Sequence, residues 1–513
     1  MSHIFLYGPV GAGKSTVGKI LADNLNLPFV DSDQVIETNA GMTIFEIMAQ
    51  HGEQACRDLE TAALKQIIND KESVIALGGG ALLREENRAL VEENGRVIFL
   101  MAELAMLVGR LRSDSNQRPL LAGNLHEKLS GLLAKRKEHY NTFPLRFDAN
   151  QVPEEVAAQI QTGLGRFHVS AMGKYDVIVQ NGGLENIGEM LKSRGLQNPI
   201  FVTDHNIAQF HAENVSASLN KAGFDSKMIP IPAGEAHKNL DTISELWKSF
   251  LKNGLDRKST VIALGGGVIG DLAGFAASAY MRGIKWIVVP TTLLSMVDAS
   301  LGGKTGFDLP EGKNLIGAFY PPRLVLADPQ ILRTLPEAEL ISGLAEVVKH
   351  GIISDPELFD LCSRGLDWIK ANLEEIVKRA MAVKIKVIEE DPYEKGFRAA
   401  LNLGHTVGHA VELVSKFELR HGEAVAIGMV VEANYAERIG IAKLGLAHDI
   451  ADVLSKLGLP TSIPEGMPCE EIIRAMQVDK KKNVGAIRFA LPVEIGQVKL
   501  VEVTDLEMVL EAS

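Results

Sequence analysis

Ile4-Phe5-Leu6-Tyr7-Gly8-Pro9-Val10-Gly11-Ala12-Gly13-Lys14-Ser15-Thr16 is the stretch that decides how this chain begins to fold. The four apolar residues predict a buried strand, and a helical pattern runs on from Lys14 to Leu25. Between them, Gly8 to Ser15 matches G-x-x-x-x-G-K-[ST] in full. Glycines there let backbone N–H groups wrap phosphates, Lys14 reaches the outer phosphates, and the Ser15 hydroxyl can hold Mg²⁺. The helix beginning at Lys14 offers its positive dipole end to the same anion. Gly11, Ala12, Gly13, Lys14, Ser15 and Thr16 are therefore candidate contacts for ATP. Strand, phosphate loop and helix open a parallel α/β sheet, and the same rhythm continues through 29–30, 58–69, 74–77 and 96–101.

A second glycine turn lies far downstream. Thr260-Val261-Ile262-Ala263-Leu264 leads into Gly265-Gly266-Gly267-Val268-Ile269-Gly270-Asp271. This is not the G-x-G-x-x-G fingerprint, but its place between a strand and a helix suits a dinucleotide. A fresh α/β rhythm starts at Tyr175, whereas the chain past about 330 carries long amphipathic stretches at 337–352, 373–390 and 404–415. The expected organisation is α/β: a P-loop domain with a parallel sheet at 1–166, a dinucleotide-binding α/β domain at 167–330, and a mostly helical metal-binding domain at 331–513.

The whole-chain figures fit an ordinary soluble enzyme. At 513 residues, three or so domains are expected. The net charge of −12 disfavours nucleic acid as a partner, so anionic substrates need local Lys/Arg clusters. The three cysteines, Cys56, Cys362 and Cys469, show no CxxC spacing and point to a reducing compartment. Neither a leader nor a membrane span is read from the sequence, so a cytoplasmic location and small-molecule partners are expected.

Around the first loop, strand two ends in Asp31-Ser32-Asp33, two carboxylates that could serve Mg²⁺ and an acceptor hydroxyl. The alternative is an Asx cap on the helix that follows. Gly78-Gly79-Gly80 closes another strand, where a triple glycine permits close approach of a ligand. Arg57, Arg118 and Arg136 are each ordinary surface charges when taken singly, but together they suggest a carboxylate and phosphate clamp. This assembly closely resembles shikimate kinase over about residues 1–165. The resemblance implies that Lys14 and Ser15 bind ATP and Mg²⁺ with help from Asp31, and that Asp33 contacts the acceptor hydroxyls and draws a proton. It implies that Arg57, Arg136 and Gly79 hold the shikimate carboxylate and that Arg118 meets the phosphates, with Lys14, Asp33 and Arg118 acting in catalysis. Arg110 and Arg112 compete for stacking on adenine, and Arg112 is preferred. One departure is Glu138, where the family usually has Pro; a local loop difference is expected there.

The second half carries histidines and lysines in patterns of their own. His405 and His409 lie at i, i+4 on one helix face, His421 follows, and Glu346 and His350 share another face. Spacing alone leaves several metal-ligand sets open, and an isolated HxxxH is a poor predictor of a metal. Lys304 and Lys313-Asn314 sit beside flexible glycines, suited to phosphate or carboxylate. Asp298, Arg282, Lys349, Lys384, Arg398 and Asn402 add polar groups near these motifs. Asp204, Glu235, Lys238, Thr291 and Thr292 are candidates for ribose and phosphate contact.

The runs Tyr280-Met281-Arg282-Gly283, Pro290 to Asp298, Gly302-Gly303-Lys304-Thr305-Gly306, Lys313-Asn314, Gly343-Leu344-Ala345-Glu346 and Leu401-Asn402-Leu403-Gly404-His405 resemble 3-dehydroquinate synthase. The resemblance covers about 167–513. It implies Zn²⁺ (or Co²⁺) on Glu346, His405 and His421, with His409 on the substrate side. It implies NAD on Asp204, Glu235, Lys238, Gly266, Gly267, Val268, Asp271, Thr291 and Thr292, with Thr334, Leu335 and Glu339 nearby. Substrate would meet Arg282, Asp298, Lys304, Lys313, Asn314, Lys349, Lys384, Arg398, Asn402, His409 and one lysine of Lys480-Lys481-Lys482. Of these, Asp298, Lys304, Lys349, Lys384 and His409 are expected to be catalytic. The implied reaction converts a seven-carbon sugar phosphate to 3-dehydroquinate with phosphate release and NAD recycled. The alternatives are another sugar-phosphate cyclase or a metal-dependent alcohol dehydrogenase; the phosphate-facing lysines favour a cyclase. A homodimer through the second half is a further expectation.

Overall fold

The computed structural model describes residues 3–113, 124–480 and 486–511, the side chains of 478–480 excepted. Contacts divide the chain into two compact units, Met1–His168 and Val169–Ser513.

The first unit is built on five strands: β1 (His3–Tyr7), β2 (Phe29–Asp31), β3 (Val74–Ala76), β4 (Gly95–Met101) and β5 (Arg146–Asp148). They lie in the order β2-β3-β1-β4-β5, and every pairing is parallel. All of β1 is buried, because alternate residues serve two cores. Ile4 and Leu6 pack with Val17 and Leu21 of helix Lys14–Leu25 and with Val156 and Ile160 of helix Pro153–Leu164. Phe5 and Tyr7 point the other way, against Leu64, Ile67, Tyr140 and Phe143. The central strand thus has a neighbour of later sequence on each side, and its C-terminal end opens into a crevice, the usual ligand position in such sheets. The phosphate loop occupies that end.

The helix expected over 58–69 begins earlier and spans Ile44–Ile67, bent at Gly52. Its start is fixed by Thr43, which accepts from the Glu46 N–H while the Glu46 carboxylate accepts from the Thr43 N–H at 2.8 Å. Glu138 continues helix Leu125–Asn141, so no loop forms there.

The second unit holds a seven-stranded sheet. Its strands are β7 (Tyr175–Val179), β8 (Gln197–Asp204), β9 (Lys227–Ile231), β10 (Ser259–Gly265), β11 (Lys285–Pro290) and β14 (Leu324–Ala327), with β6 (Arg166–Val169), which spans the boundary, at one edge, in the order β6-β7-β14-β11-β10-β8-β9. Pairing is parallel from β7 through to β9. An antiparallel hairpin of β12 (Lys304–Leu309) and β13 (Gly312–Phe319) projects between β11 and β14 in the sequence. Helices dominate after β14: Glu337–Ser354, Leu373–Glu390, His405–Val414 and His421–Arg438 each bury much of their length. One element was not expected. Residues 487–503 form a second hairpin, β15 (Ile487–Glu494) with β16 (Gln497–Val503), turning at Gly496. Phe489, Leu491 and Val503 of this hairpin pack against Val407, Ile427 and Val431.

Two candidate active sites

In the first unit the chemistry gathers around a cavity of about 1000 Å³ at the end of β1. Gly13 takes the left-handed conformation (φ 88°) that turns the loop into helix Lys14–Leu25. Lys14 Nζ donates to the Gly8 and Pro9 carbonyls, both at 3.1 Å. The Ser15 hydroxyl donates to Asp31 Oδ2 at 2.6 Å, which brings together the two residues expected at Mg²⁺. Asp31 Oδ1 meanwhile accepts from the Asp33 N–H at 3.1 Å. Asp31 thus caps the following helix through one oxygen and keeps the other on the Ser15 hydroxyl, so the cap does not preclude the expected role.

Across the cavity lie Asp33, Arg57, Gly78, Gly79, Gly80 and Arg136. Arg136 donates to the Gly79 carbonyl at 2.7 Å. The Arg57 guanidinium lies on Gly80, where a Cβ would fall 2.6 Å from its Nη2. Arg57 is fixed by Glu60, with contacts of 2.8 and 2.7 Å, and by Glu53 at 3.0 Å. Two guanidiniums beside a bare glycine backbone make a pocket for a small carboxylate. Glu60 was missed in the sequence; its i,i+3 spacing from Arg57 was the available signal. Arg110, not Arg112, faces the phosphate loop: it donates to the Ala12 carbonyl at 3.3 Å and the Ala149 carbonyl at 2.8 Å. Leu111 packs on Gly11, while Arg112 is exposed at the helix end. Arg118 lies outside the described residues.

In the second unit β8, β10 and β11 are neighbours, so their C-terminal ends collect Asp204, Gly265-Gly266-Gly267 and Thr291-Thr292. Helix Gly267–Ala279 starts at this edge with Val268 in its first turn. Asp204 accepts from the N–H groups of Asn206 (2.8 Å) and Ile207 (3.0 Å). Thr291 Oγ1 is buried without a hydrogen-bond partner, an acceptor and donor left for a ligand. The Thr292 methyl lies beneath Gly266. Buried Lys238 pairs with Asp271 at 2.7 Å and lies 3.9 Å from Glu235. Burial alone would lower its pKa; Asp271 outweighs that and raises it. These features fit a dinucleotide. Thr334 and Glu339 are engaged elsewhere: Thr334 Oγ1 bonds His211 Nε2 at 2.9 Å, and Glu339 pairs with Arg420 at 3.1 Å. Leu335 lies between them, half-buried.

Three helices build the metal-binding candidate. Glu346, on Glu337–Ser354, is fully buried, and its Oε1 lies 3.7 Å from His405 Nε2 and 3.7 Å from His421 Nε2. His409 joins the same cluster: the three histidine rings stand 5.0 to 5.7 Å apart, and His405, His409 and His421 each bring a nitrogen within 4.8 Å of the others. Two of the possible ligand sets therefore share His405 and His421; a third grouping, Asp298, Glu346 and His350, shares only Glu346 with the first. A buried carboxylate facing two imidazole nitrogens fits a divalent ion of the zinc class. Burial would raise the Glu346 pKa, but the Lys349 ammonium beside it, together with His421 and His405, holds it well below the usual range. His421 is pushed up to about 9: burial opposes, and the Glu346 and Glu412 carboxylates outweigh it.

The spacing of these helices is set by glycines. A Cβ on Gly428 would fall 1.9 Å from the Gly404 carbonyl oxygen, and one on Gly408 would fall 2.9 Å from that of Ala424. Helices His405–Val414 and His421–Arg438 thus touch backbone to backbone. Glu432 sits at the crossing, wholly buried, accepting the Gly404 N–H at 2.6 Å and the Val407 N–H at 3.4 Å. Burial pushes its carboxyl up to about 8, against those bonds.

Some of the expected substrate residues, Lys349, Lys384, Asp298, Lys313 and His409, are linked to this centre, and the others have partners of their own. Asp298 lies in a π-helical turn, Ser295–Ala299, and pairs with buried Lys384. Lys349 pairs with Glu346. Lys304 lies 3.3 Å from Glu394, and Asn402 lies 3.4 Å from the same carboxylate. Buried Arg398 donates to the Pro392 carbonyl at 2.5 Å and lies beside Gly302. Lys313 lies 3.7 Å from Glu412, and Asn314 accepts from Lys238 at 2.6 Å. Arg282 is exposed, in a left-handed conformation with Met281 before it. Lys480, Lys481 and Lys482 lie outside the described side chains. Residues missed in the sequence are Glu412, Glu432 and Glu394. His350, paired there with Glu346, is wholly buried with both ring nitrogens unpartnered, held neutral by a pKa lowered to about 3 through burial.

Known proteins match both units. Residues 10–164 match the shikimate kinase family model, 228–342 the 3-dehydroquinate synthase N-terminal model, and 343–482 the 3-dehydroquinate synthase C-terminal model. A 3-dehydroquinate synthase of Crocosphaera subtropica is 44% identical over 336 residues, 64% of this chain and 92% of that protein. A crystal structure of 2-deoxy-scyllo-inosose synthase with carbaglucose-6-phosphate, NAD⁺ and Co²⁺ is 27% identical, with a TM-score of 0.62, covering 67% of this chain and 99% of that one. The 2-epi-5-epi-valiolone synthase of Streptomyces hygroscopicus, with NAD⁺ and Zn²⁺ bound, is 30% identical, with a TM-score of 0.59, covering 65% of this chain and 94% of that one.

Proposed function

We infer the work of each site from one premise: the chain belongs to the 3-dehydroquinate synthase family, and its first unit is a shikimate kinase domain. It is a bifunctional enzyme of the shikimate pathway. One activity phosphorylates shikimate with ATP; the other converts 3-deoxy-D-arabino-heptulosonate 7-phosphate to 3-dehydroquinate with loss of phosphate. The alternative cyclases share the fold at 27 and 30% identity, well below the 44% of the synthase relative.

In the kinase unit, the phosphate loop and Lys14 bind ATP, and Ser15 with Asp31 holds Mg²⁺. Arg57 and Arg136 clamp the shikimate carboxylate over Gly79, and Asp33 orients the acceptor hydroxyl and takes its proton. Arg110 lies against the loop and takes the adenine-side role. Arg118 is proposed to meet the phosphates.

In the synthase unit, the edge from Asp204 to Thr292 holds NAD, and Glu346, His405 and His421 hold a divalent ion, Zn²⁺ or Co²⁺. The ion, when bound, supplies Lewis acidity at the substrate's oxygens, and NAD supplies hydride exchange. Lys304, Lys313, Asn314, Arg398 and Asn402 bind the phosphate and carboxylate, with Arg282 the outermost of the set. Lys349, Lys384 and Asp298 form a charged frame, and His409 moves protons on the substrate side. The resemblance also supports a homodimer through this unit. No described helix is long and apolar enough to cross a membrane, which is consistent with a cytoplasmic enzyme.

One observation carries the reading: Glu346 and the two histidines, drawn from three helices up to 75 residues apart in sequence, converge with contacts of 3.7 Å. The test is a paired assay of purified protein. Chelation should abolish phosphate release from the heptulosonate phosphate, and Zn²⁺ or Co²⁺ should restore it. Shikimate phosphorylation should need only Mg²⁺. Net NADH accumulation in place of phosphate release would mark a dehydrogenase and sink the reading.

A further inference from the structure

Glu412 has no part in the roles assigned above. It stands seven residues after His405 and three after His409, on the same face of helix His405–Val414. Its side chain is only 15% exposed. Oε2 lies 3.3 Å from His421 Nδ1, and the other nitrogen of that ring, Nε2, faces Glu346 at 3.7 Å. Oε1 lies 3.7 Å from the ammonium of Lys313, which also stands 4.1 Å from the Phe417 ring centroid. Lys313 comes from the β12–β13 hairpin, whose next residue, Asn314, is bonded by Lys238.

One carboxylate therefore touches two residues from different elements with different tasks. Towards His421, it accepts the Nδ1 proton, which would leave Nε2 to face a metal ion beside Glu346. A partner of this kind fixes both the tautomer and the ring plane of a metal-binding histidine. Towards Lys313, it supplies the only carboxylate contact of that ammonium among the described residues. Phe417 adds a cation–π face on the same cation. A surface Glu that merely solvated the helix would be exposed and free to move; this one is enclosed between the His421 ring and the Lys313 ammonium.

We propose that Glu412 is a positioning residue that couples the metal centre to the phosphate-binding hairpin, orienting His421 and holding Lys313 over the site. The inference rests on the metal and substrate roles assigned above. Its consequence is that one substitution disturbs two properties that separate sites would keep apart.

The test uses the full chain as wild type, Glu412→Gln, Lys313→Met and the double variant. Metal affinity is read by titrating the metal-free proteins with Co²⁺ and following its visible absorption. Glu412→Gln should weaken Co²⁺ binding about 10- to 100-fold. Lys313→Met should leave it unchanged. At saturating Co²⁺, Glu412→Gln should raise the KM for the heptulosonate phosphate about two- to fivefold, the range for a pair with one exposed partner, and Lys313→Met, which also removes a charged contact to substrate, should raise it further. The double variant should raise it no further than Lys313→Met alone. Shikimate kinase activity on the same chains gives the concentration of intact protein, and a thermal melt excludes a misfolded second unit. If Glu412→Gln binds Co²⁺ as tightly as wild type, or the two KM effects multiply, the coupling is wrong. A wild type that needs no divalent ion would overturn the functional reading itself.

Discussion

Gly428→Ala is the sharpest test of how the metal centre is spaced. The added Cβ would stand 1.9 Å from the Gly404 carbonyl oxygen, 2.8 Å from its carbon and 2.9 Å from the Gly408 nitrogen. All three are backbone atoms, so no side chain can rotate away. Real Cβ atoms essentially never come within 3.0 Å, so helices His405–Val414 and His421–Arg438 must part by at least 3.0 − 1.9 = 1.1 Å. The same movement lengthens the Glu432 to Gly404 N–H bond from 2.6 to about 3.7 Å, beyond hydrogen-bond reach. Overpacking of this kind costs about 1–3 kcal/mol. Across a unit of this size that is a fall of only a few degrees in Tm. The larger effect falls on the site, because His405 and His409 ride on one helix and His421 on the other. Co²⁺ affinity should drop about 10- to 100-fold, as when an outer partner of a ligand is lost. The assay is Co²⁺ titration of the metal-free protein, with kinase activity on the same chain as the control. A variant with wild-type affinity and wild-type Tm would show that the glycine crossing does not set the distance between the histidines.

Gly131→Ala should act in the opposite direction: a Cβ there meets nothing within 4 Å inside helix Leu125–Asn141, so helix propensity alone should add about 0.5–1 kcal/mol, read by denaturant unfolding of the kinase unit. Destabilisation would show that this helix is packed more closely than described. Glu432 gives a pH dependence: its folded pKa of about 8 lies above its ordinary 4.5, so its contribution is fully present below 4.5 and is lost as pH rises through 8. Glu432→Gln should therefore flatten the fall in unfolding free energy between pH 5 and 8; a slope equal to that of wild type would count against a neutral buried carboxyl. Residues 1–165 and 166–513, a split that keeps strand β6 whole, should each keep their activity when expressed apart, because shikimate phosphorylation and dehydroquinate synthesis are not consecutive steps and nothing needs to pass between them. Loss of either activity on separation would reveal a dependence that the chemistry does not require.

What could be read in the sequence depended on how local the physics was. The phosphate loop was legible because everything it needs, a turn through glycines, one lysine, one hydroxyl and a helix start, lies within nine consecutive residues. The parallel sheet was legible for a related reason: strands such as Ile4–Tyr7 and Val261–Leu264, buried on both faces, must read as unbroken apolar runs. The hairpin at 487–503 was equally local, with alternating Ile487, Phe489 and Leu491 before a glycine turn, and was overlooked beside the helical signals around it. The preference for Arg112 took no account of helical phase, which turns the face bearing Leu107, Arg110 and Leu111 towards the loop. The metal centre marks the boundary. Spacing placed His405 and His409 on one face but could not say that Glu346 would meet them; family resemblance supplied that. Glu412 was within reach, because position i+7 continues the same face. Glu432 and Gly428 were not, because their roles arise only where two helices cross, and no residue in either helix announces the other. The residues that hold a site in shape are hidden in proportion to how tertiary their contacts are, and substitutions there are where structure adds most to what the sequence already tells.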